Sequence, residues 1–496
     1  MLTFEKFNDY AKKYNIIPLY SELIVDIETP VSIFSIFKDE KYTFLLESVE
    51  TDKKFARYSI IGIDPFKILI YKNKILNIIT NNSSEQLTNI NPLDYLDDDL
   101  KKFKIMPIDE LPFLYNAIIG YFGFETFELI ENLKFDKPDK LDIPDICLNY
   151  CKKILIFDHF KNKLFLINNI VIDEDKKQDL KNLYERGLKE LETLSKKIAV
   201  QKNLNYLSTK KNPQKNQLEY SSDESVFLNG VNKIKDYITA GDIFQCVLSI
   251  RSEMAINTTP FDIYRALRII NPSPYMFYMN FDDFTLVGSS PESMVRLRDN
   301  MVYLKPIAGT RPVVKSETET QMYADELISN EKEIAEHLML LDLGRNDLGR
   351  ICKPGTVKVD KQMYVERFAH VQHIVSDISG EVADNKSVVD VFKATFPAGT
   401  VSGAPKIRAI EIINELEPFK RNFYAGAVGY ITFNNQMDLA ITIRTMLVKN
   451  KRIYIQTGAG VVYDSIDKLE YKECANKARS LVAALYLAEN GEEPIL

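Results

Sequence analysis

Short apolar runs bounded by Asn, Asp and Pro fill the first third of the chain. Runs such as KYTFLLESVE, FKILIYKNKILNII and KKILIFDHFKNKLFLINNIVI have the length and the flanking residues of β-strands joined by hairpins. From Glu174 to Lys197 the leucines recur instead at the spacing of one helix face. The pattern therefore predicts a sheet-rich N-terminal part that ends in an amphipathic helix.

A polar stretch, QKNLNYLSTKKNPQKNQLEYSS, follows this helix and contains few residues that would form a core. Such a composition is typical of a linker between domains. We therefore predict an N-terminal domain of residues 1–200, a linker of residues 201–221 and a C-terminal domain of residues 222–496.

Single helices alternate with groups of strands in the C-terminal part. Periodicity and capping residues predict helices from Ser222 to Gly241, from Pro260 to Ile270, from Thr318 to about Leu343, after Gly403 and up to about Leu487. The segments predicted as strands are IFQCVLSIRSEM, YMFYMNF, FTLVGSS, VKVDKQMYV, HIVSDISGEV, AGAVGYITF, DLAITIRTMLV and RIYIQTGAGVV. This order favours an α+β fold of layered antiparallel or mixed sheets with flanking helices over a doubly wound parallel sheet.

Composition limits the classes of function. Of the 496 residues, 45% are hydrophobic and 27% are charged, and 63 basic against 70 acidic residues give a net charge of −7. A mildly acidic globular chain favours neither nucleic acid nor an anionic membrane as a partner. The first residues lack the apolar core of a signal peptide, no stretch approaches the ~20 apolar residues of a membrane span, and the five cysteines form no zinc or disulfide pattern. We expect a cytoplasmic protein.

Two pairs of glutamates spaced three residues apart lie in predicted helices. Glu333 and Glu336 form one pair, and Glu470 and Glu473 form the other. Positions i and i+3 share a helix face, so each helix would direct two carboxylates to one point. Magnesium takes oxygen ligands, few of them protein carboxylates, and leaves other positions to water and an anionic substrate. An average pair of this kind is better explained as part of a solvated helix face. Only the surrounding residues can distinguish a metal site from such a surface.

Glycine-rich or polar turns accompany these helices in the sequence: PIAGTR, FPAGTVSGAPK and QTGAG. Glycine allows positive φ and lets backbone N–H groups approach a ligand, which suits the binding of carboxylate oxygens. Arg444, in a predicted strand, and Lys477, one turn beyond Glu473, would bind a second carboxylate. Each feature alone is typical of an ordinary turn or a surface charge.

The segments EKEIAEHLMLLDLGRNDLGRICKPG, PIAGTRP, GTVSGAPKIRAIEII, GAVGYITF and TGAGVVYDSIDKLEYKECANKAR are long and specific motifs. Together they resemble the chorismate-utilising enzymes, and the resemblance extends from Ser222 to about Leu487. Upstream, IPLYSELIVDIETPVSIF, FLLESVE and ARYSIIGIDP are similar to the regulatory N-terminal domain of the anthranilate-forming members. The resemblance implies the fold of that family and an enzyme that acts on chorismate.

The resemblance also implies how chorismate is held. The positions that would bind Mg²⁺ or lie close to it are Glu336, Glu473, Glu333 and Glu470. The metal would hold the ring carboxylate. The implied contacts to the enolpyruvyl carboxylate and to the rest of the substrate are Arg444, Tyr430, Gly460, Lys477, Gly309, Thr310 and Gly458, with Thr400 lining the ring.

Two further residues would move protons. Glu292, in GSSPES, matches the general acid that protonates the departing ring hydroxyl, and burial would raise its pKa as that role requires. His373, in VQHIVS, resembles the histidine associated with the elimination of pyruvate. Taken alone, Glu292 is better explained as a residue at a helix N-terminus and His373 as a structural histidine. We expect His159, His337 and His370 to be structural.

Two positions select among the reactions of the family. Gln245 stands where isochorismate- and salicylate-forming members have a lysine that activates water, and Ala308 where aminodeoxychorismate-forming members usually have a lysine that attacks the ring. The resemblance therefore implies direct addition of ammonia, loss of the hydroxyl and elimination of pyruvate to give anthranilate. Two alternatives are an aminated product that retains pyruvate, against which Ala308 argues, and a non-catalytic sensor, against which the acid and metal positions argue.

The source of ammonia and the regulation are implied as well. No cysteine lies in the Gly-x-Cys-x-Gly context of a glutaminase nucleophile. We therefore expect a separate glutamine amidotransferase subunit as the partner, in a two-plus-two assembly. LLES and NPSPYMF resemble a tryptophan feedback site, with implied contacts from Glu47, Ser48, Pro274, Tyr275 and Met276.

Overall fold

The computed structural model describes residues 2–49, 57–81, 83–173, 179–200, 207, 218–368 and 371–490. The strands in this part of the chain are β1 Ile16–Ile24, β2 Thr43–Glu47, β3 Tyr58–Lys72, β4 Ile75–Thr80, β5 Ser84–Thr88, β6 Ala117–Phe122, β7 Ile146–Asp158, β8 Lys163–Val171, β9 Glu219–Tyr220, β10 Gln245–Ala255, β11 Tyr275–Phe281, β12 Phe284–Ser290, β13 Ser293–Arg298, β14 Met301–Leu304, β15 Ile307–Pro312, β16 Lys358–Arg367, β17 Val371–Glu381, β18 Gly403–Ala404, β19 Ala427–Thr432, β20 Met437–Ile441, β21 Thr445–Lys449 and β22 Arg452–Val461.

The helices are α1 Phe4–Tyr10, α2 Pro30–Phe34, α3 Pro92–Leu100, α4 Leu180–Val200, α5 Glu224–Thr239, α6 Pro260–Ile270, α7 Glu317–Ser329, α8 Glu331–Gly349, α9 Val388–Thr395, α10 Lys406–Leu416 and α11 Asp467–Asn490, with 3-10 turns at Phe113–Asn116, Phe124–Leu129 and Gly399–Val401. Within the described ranges, none of these helices combines the length and the apolar character needed to cross a membrane. The strands pair antiparallel in one hydrogen-bonded network flanked by helices, which confirms the predicted α+β class.

Long hairpins form the N-terminal part, as its apolar runs predicted. β3 pairs with β7 over most of its length, and the register shifts at Pro65. β1 pairs with β8, and α4 packs on this layer. The approach is close: a Cβ on Gly187 of α4 would lie 2.6 Å from Ile170 Cδ1, so a larger residue there would force Ile170 to shift. Residues 174–178 of the predicted helix lie outside the described residues.

Hydrogen bonds join the two halves of the chain across the predicted domain boundary. β2 pairs with β11, which places Glu47 opposite Met276. β6 pairs with β19, which places Gly120 opposite Gly429. Most of the predicted linker lies outside the described residues, so the division into two domains stays a prediction, and the sheet is shared between the two parts.

The single acidic helix predicted from Thr318 to about Leu343 is wrong, because the segment forms two helices. α7 ends at Ser329 and α8 begins at Glu331. Asn330 between them has extended backbone angles (φ −79°, ψ 112°), and its side chain accepts hydrogen bonds from the N–H groups of Lys332 and Glu333. Asparagine is among the strongest N-cap residues, so a local cap overrides the continuous periodicity.

The strand predicted over DLAITIRTMLV is also interrupted. β20 ends at Ile441 and β21 begins at Thr445. Arg444 between them has a φ of +50°, a conformation that residues with a Cβ rarely adopt. The guanidinium of Arg444 donates a hydrogen bond to the carbonyl of Lys477, so the interruption directs this side chain to α11.

A buried ion pair connects three elements of the C-terminal part. Arg421 is 1% exposed, and its guanidinium donates to the two carboxylate oxygens of Glu417 at 2.6 and 2.9 Å. It also donates to the carbonyls of Val401 at 2.8 Å and Val247 at 2.7 Å. Glu417 in turn accepts a hydrogen bond from the Ser249 N–H at 2.8 Å. One side chain therefore fixes β10, the end of α10 and the 3-10 turn that contains Val401.

Arg421→Met should lower the free energy of unfolding by about 3–5 kcal/mol, because loss of one partner leaves the buried charge of Glu417 uncompensated. Arg345→Met is the control, since the exposed Arg345–Asp342 pair belongs to a class that contributes about 0–1 kcal/mol. Urea denaturation followed by circular dichroism measures both variants. Equal losses in the two variants would contradict the role given to Arg421.

Candidate active site

Two helices bring the four predicted carboxylates to one region. α8 carries Glu333 and Glu336, and α11 carries Glu470 and Glu473. Gln245, at the start of β10, donates a hydrogen bond from Nε2 to Glu336 Oε1 at 3.1 Å. Burial raises the pKa of Glu336, and the charges of Glu333 and Glu473 raise it further. The carboxylates of the two helices therefore lie close enough to repel one another.

Two of these four carboxylates, Glu333 and Glu473, have basic partners. Arg311 pairs with Glu333 at 3.1 Å, and Lys477 pairs with Glu473 at 2.7 Å. Across the residues that the structure describes, no three His, Cys, Asp or Glu side chains converge closely enough to hold a metal ion as they stand. The donors that Glu336 and Glu473 offer are all oxygen, on neighbouring helices and amid negative charge. This donor set fits a hard cation such as Mg²⁺.

Cations and glycines form another wall of the site. Lys477 donates from Nζ to Gly458 O at 2.9 Å, and Arg444 donates to the Lys477 carbonyl. Burial lowers the pKa of Arg444. A Cβ on Gly460 would lie 2.5 Å from Gln245 Nε2, so a larger residue there would displace the Gln245 amide. The wall therefore presents two cations close together, an arrangement that suits a carboxylate ligand.

The structure does not bring Tyr430 to this wall. Tyr430 lies on β19 and lines a separate cavity together with Asp438. Tyr424, just before β19, is the tyrosine that lies near the cations. A Cβ on Gly458 would be 2.7 Å from the Tyr424 hydroxyl oxygen, and the charge of Arg444 acts on that hydroxyl. Both tyrosines belong to the segment FYAGAVGY, in which no spacing rule distinguishes them.

Glu292 is a buried acid that lies between β12 and β13, not at a helix N-terminus. Its carbonyl accepts a hydrogen bond from the Ile441 N–H at 3.0 Å. Burial raises the pKa of its carboxyl to about 8, and the nearby Thr400 and Lys477 only partly oppose this rise. Glu292 and Thr400 line one small cavity, into which a protonated carboxyl can deliver its proton at neutral pH.

His373 is oriented by the irregular part of β15 that contains Gly309, where the register with β17 shifts. Its Nδ1 lies 2.7 Å from Gly309 O and 3.2 Å from Thr310 Oγ1. A carbonyl only accepts, so Nδ1 carries the proton and Nε2 keeps a lone pair in the neutral ring. Burial lowers the pKa of His373, and the charge of Arg444 lowers it further. The geometry therefore leaves one basic nitrogen available.

Gly309 itself has a φ of +64°, and a Cβ there would lie 2.8 Å from Glu333 Oε2. This part of β15 therefore connects the histidine to the carboxylate cluster. Two of the other histidines bond to serines elsewhere: His337 Nε2 lies 2.6 Å from Ser376 Oγ, and His159 Nε2 lies 2.7 Å from Ser59 Oγ. His370 lies outside the described residues.

A second cavity, of about 590 Å³, is lined by residues of both halves of the chain. The predicted effector contacts all line it: Glu47, Ser48, Pro274, Tyr275 and Met276. The carboxylate of Glu47 is, however, already bonded to α6, because Tyr264 donates to it at 2.5 Å and Arg268 pairs with it at 2.9 Å. A ligand amine would have to compete with Arg268 for this group.

The fold and the site define a chorismate-binding enzyme. The chain belongs to the chorismate binding enzyme family, whose pattern matches residues 43–483. Within the family it is 42% identical to anthranilate synthase component 1 of Acetivibrio thermocellus, over 97% of this chain and 98% of that protein. It is 43% identical to anthranilate synthase component 1 of Neisseria meningitidis serogroup B, over 97% of both chains.

Solved structures are similar to this chain as well. Anthranilate synthase component I from Streptococcus pneumoniae superimposes with a TM-score of 0.77 at 36% identity, covering 92% of this chain and 98% of that one. The menaquinone-specific isochorismate synthase from Escherichia coli superimposes with a TM-score of 0.71 at 18% identity, covering 97% and 98%. The second similarity shows a shared fold alone.

Glu292→Gln should make thermal stability less dependent on pH. In the folded protein the Glu292 carboxyl keeps its proton up to a pKa of about 8, whereas its ordinary pKa is 4.5. The folded state thus binds the extra proton between these values, and this group's contribution to stability falls as pH rises through that window. Calorimetry should show the Tm of the variant rising relative to wild type across the window and a constant difference above it.

Glu319→Gln, at an exposed position, is the control and should show no such trend. A Tm difference for Glu292→Gln that is the same at both ends of the window would refute the raised pKa.

Proposed function

We propose that this chain converts chorismate and ammonia into anthranilate, pyruvate and water, the first step of tryptophan biosynthesis. The observation that carries the proposal is the match over 97% of the chain to proteins named anthranilate synthase component 1. The site supports the chemistry, because an oxygen-rich cluster, a cationic wall and a protonated carboxyl are assembled from neighbouring elements.

The cationic wall would hold the enolpyruvyl carboxylate of chorismate. Arg444 and Lys477 supply the positive charge that such a carboxylate needs. The Tyr424 hydroxyl, beside Gly458, would add a donor. The ring carboxylate would then face the glutamates of α8 and α11.

Four acidic side chains would repel that ring carboxylate, so a cation belongs between them. Glu336 and Glu473 would hold Mg²⁺, with Glu333 and Glu470 at its periphery. A bound Mg²⁺ would offset the negative charge of the substrate and of the cluster.

The residues around the ring account for the proton transfers. Ammonia adds to the ring carbon ortho to the carboxylate, the double bonds shift, and the hydroxyl leaves as water with the proton of Glu292. The added nitrogen loses one proton as it becomes an amino group, which balances the proton that Glu292 gives. Nε2 of His373 would then take the proton from the aminated carbon, the ring becomes aromatic, and the enolpyruvyl group takes up a proton as it leaves as pyruvate.

Two positions support ammonia as the nucleophile. Gln245 has an amide, not an amine, so it cannot deprotonate water. Ala308 is buried and carries no nucleophilic atom, so no covalent adduct with the ring can form at this position.

A glutamine amidotransferase subunit would supply the ammonia, in a two-plus-two assembly. The relatives' designation as component 1 supports a second component. In the described residues all five cysteines are buried and unpaired, so none offers the accessible thiolate that a glutaminase requires. Unpaired thiols also fit a reducing, cytoplasmic location.

The second cavity would bind tryptophan as a feedback inhibitor. Its volume of about 590 Å³ is that of a small-molecule site. Pro274, Tyr275 and Met276 would contact the indole and the backbone of the ligand, and Ser48 would lie at its edge. Glu47 is the expected partner of the amino group, in competition with Arg268.

The purified chain should form anthranilate and pyruvate in equal amounts from chorismate, Mg²⁺ and ammonium at alkaline pH. Product fluorescence and pyruvate release measure the two products, and a chelator should abolish their formation.

Tyr424→Phe should raise the KM for chorismate about tenfold through loss of one hydrogen bond to a charged group. Tyr430→Phe, the matched control, should leave the KM within about twofold. The opposite ranking would return Tyr430 to the substrate site, and an aminated product that keeps pyruvate would refute the proposed reaction.

Ser48→Phe should abolish inhibition by tryptophan with little loss of activity, because the larger side chain fills the second cavity and leaves the active site untouched. Inhibition curves with added tryptophan measure the effect. Ser84→Phe, on the exposed strand β5, is the control and should be inhibited like wild type. Unchanged inhibition of Ser48→Phe would place the effector elsewhere.

A further inference from the structure

Glu292 has to regain a proton after each turnover of the proposed reaction. The residue is only 8% exposed, and its carboxyl becomes a carboxylate when the ring hydroxyl leaves as water. Burial raises the pKa of this carboxyl to about 8, so the return of a proton is favourable at neutral pH. A buried group nevertheless needs a path along which the proton reaches it.

A small cavity of about 40 Å³ is lined by Glu292 and by residues of α8. One water molecule needs roughly 10–15 Å³ on this measure, so the cavity has room for about three waters. Chorismate is too large for it, since small-molecule sites usually measure about 300–1,000 Å³. The ring therefore meets Glu292 from outside this cavity, and the carboxyl can exchange protons with water inside it.

The Thr400 hydroxyl lies beside Glu292 in the wall of this cavity. It is close enough to lower the pKa of the Glu292 carboxyl. Its oxygen is nevertheless buried without a hydrogen bond of regular geometry in the part of the chain that the structure describes. Leaving such a group unsatisfied is costly. A water in the cavity that bonds to Thr400 removes this cost and can begin a chain of hydrogen bonds from Glu292.

Asp347 connects the small cavity with the protein surface. Its side chain is 11% exposed, and its Oδ2 lies 2.8 Å from Lys406 Nζ. Asp347 lines the small cavity and also a larger surface groove, which includes the exposed side chains of Phe244 and Ile407. Burial raises the pKa of Asp347, and the charge of Lys406 opposes this rise. A carboxyl between two such spaces can take up a proton on one side and pass it on at the other.

Lys305 is a further charged side chain in the wall of the small cavity. Its ammonium group pairs with Glu366, and Nζ lies 2.7 Å from Oε2. Because the charge of Lys305 is already balanced in this pair, Asp347 is the better candidate to exchange protons with the cavity.

We propose that Asp347 returns the proton to Glu292 through water in the small cavity. Asp347 gives its proton to the nearest water, each water passes one on, and the last one forms the new O–H bond of Glu292. Asp347 then takes a proton from solvent in the surface groove, which balances the proton that the added nitrogen releases to solvent. The inference rests on the proposed function and extends it by the step that resets the acid.

Asp347→Asn tests the relay, because the amide keeps the size of the side chain but has no acidic proton. The variant is mixed rapidly with chorismate, Mg²⁺ and ammonium at neutral pH, where Glu292 starts protonated. The first turnover should stay within about twofold of wild type, whereas kcat should fall at least about tenfold. Anthranilate fluorescence should therefore show a burst of about one product per active site, followed by a slow phase that slows further in D₂O.

Three further variants sharpen the test. Asp347→Glu restores the carboxyl and should return kcat to within about threefold of wild type. Asp342→Asn is the matched control, since among the described residues Asp342 lies on α8 and lines the surface groove but not the small cavity. It should match wild type in both phases. Ala398→Leu adds bulk to the cavity wall and leaves Asp347 unchanged, and it should reproduce the burst and the slow phase.

Two results for Asp347→Asn would overturn the relay: an equal decrease in the first turnover and in kcat, or no decrease in either. The first would mean that Asp347 only supports the fold of the site, and the second that the proton returns by another path. Tm measurements verify that each variant is folded, and Ala398→Leu decides the question if Asp347→Asn does not fold. Failure of wild type to form anthranilate from ammonium would instead refute the proposed function itself.

Discussion

The pair formed by Arg421 and Glu417 is the interaction on which the active site is built. Burying both charges costs several kcal/mol of free energy. Hydrogen bonds from the remaining guanidinium donors to two backbone carbonyls help to offset this cost. Those carbonyls belong to Val401, next to Thr400, and to Val247, two residues after Gln245. The positions of Thr400 and Gln245 therefore depend on how one arginine satisfies its hydrogen bonds.

Negative charge is concentrated at the candidate active site, and basic partners and burial both limit it. Arg311 and Lys477 pair with Glu333 and Glu473. Glu336 is half-buried, and burial raises its pKa, with a further rise from the charge of Glu333. Glu292 avoids adding a further charge because burial keeps it protonated at neutral pH. The same burial that removes its charge is what makes it a proton donor.

Much of the fold follows from local sequence patterns. The helix and the strand that were predicted wrongly are those in which one residue overrides the pattern. The hairpins and the helix Pro260–Ile270 follow apolar periodicity. Asn330 ends one helix and caps the next, although the acidic, helix-forming composition continues through it. Arg444 interrupts an alternating apolar run with a left-handed backbone, for which periodicity gives no signal. The carboxylate pairs were recognisable from spacing, whereas the choice of Tyr424 over Tyr430 depends on contacts with Gly458 and Arg444 that are distant in sequence.

The second cavity and Glu292 are connected through paired strands, so a change at the cavity can reach Glu292. Tyr275 of the cavity wall pairs with Ser290 across β11 and β12. The Ser290 hydroxyl donates to the carbonyl of Ile441 at 2.7 Å, and the Ile441 N–H donates to the carbonyl of Glu292 at 3.0 Å. Coupling between sites is commonly worth about 1–3 kcal/mol, and each hydrogen bond about 0.5–1.5 kcal/mol. A ligand that shifted β11 relative to β12 would therefore need to weaken only two or three such bonds to move Glu292.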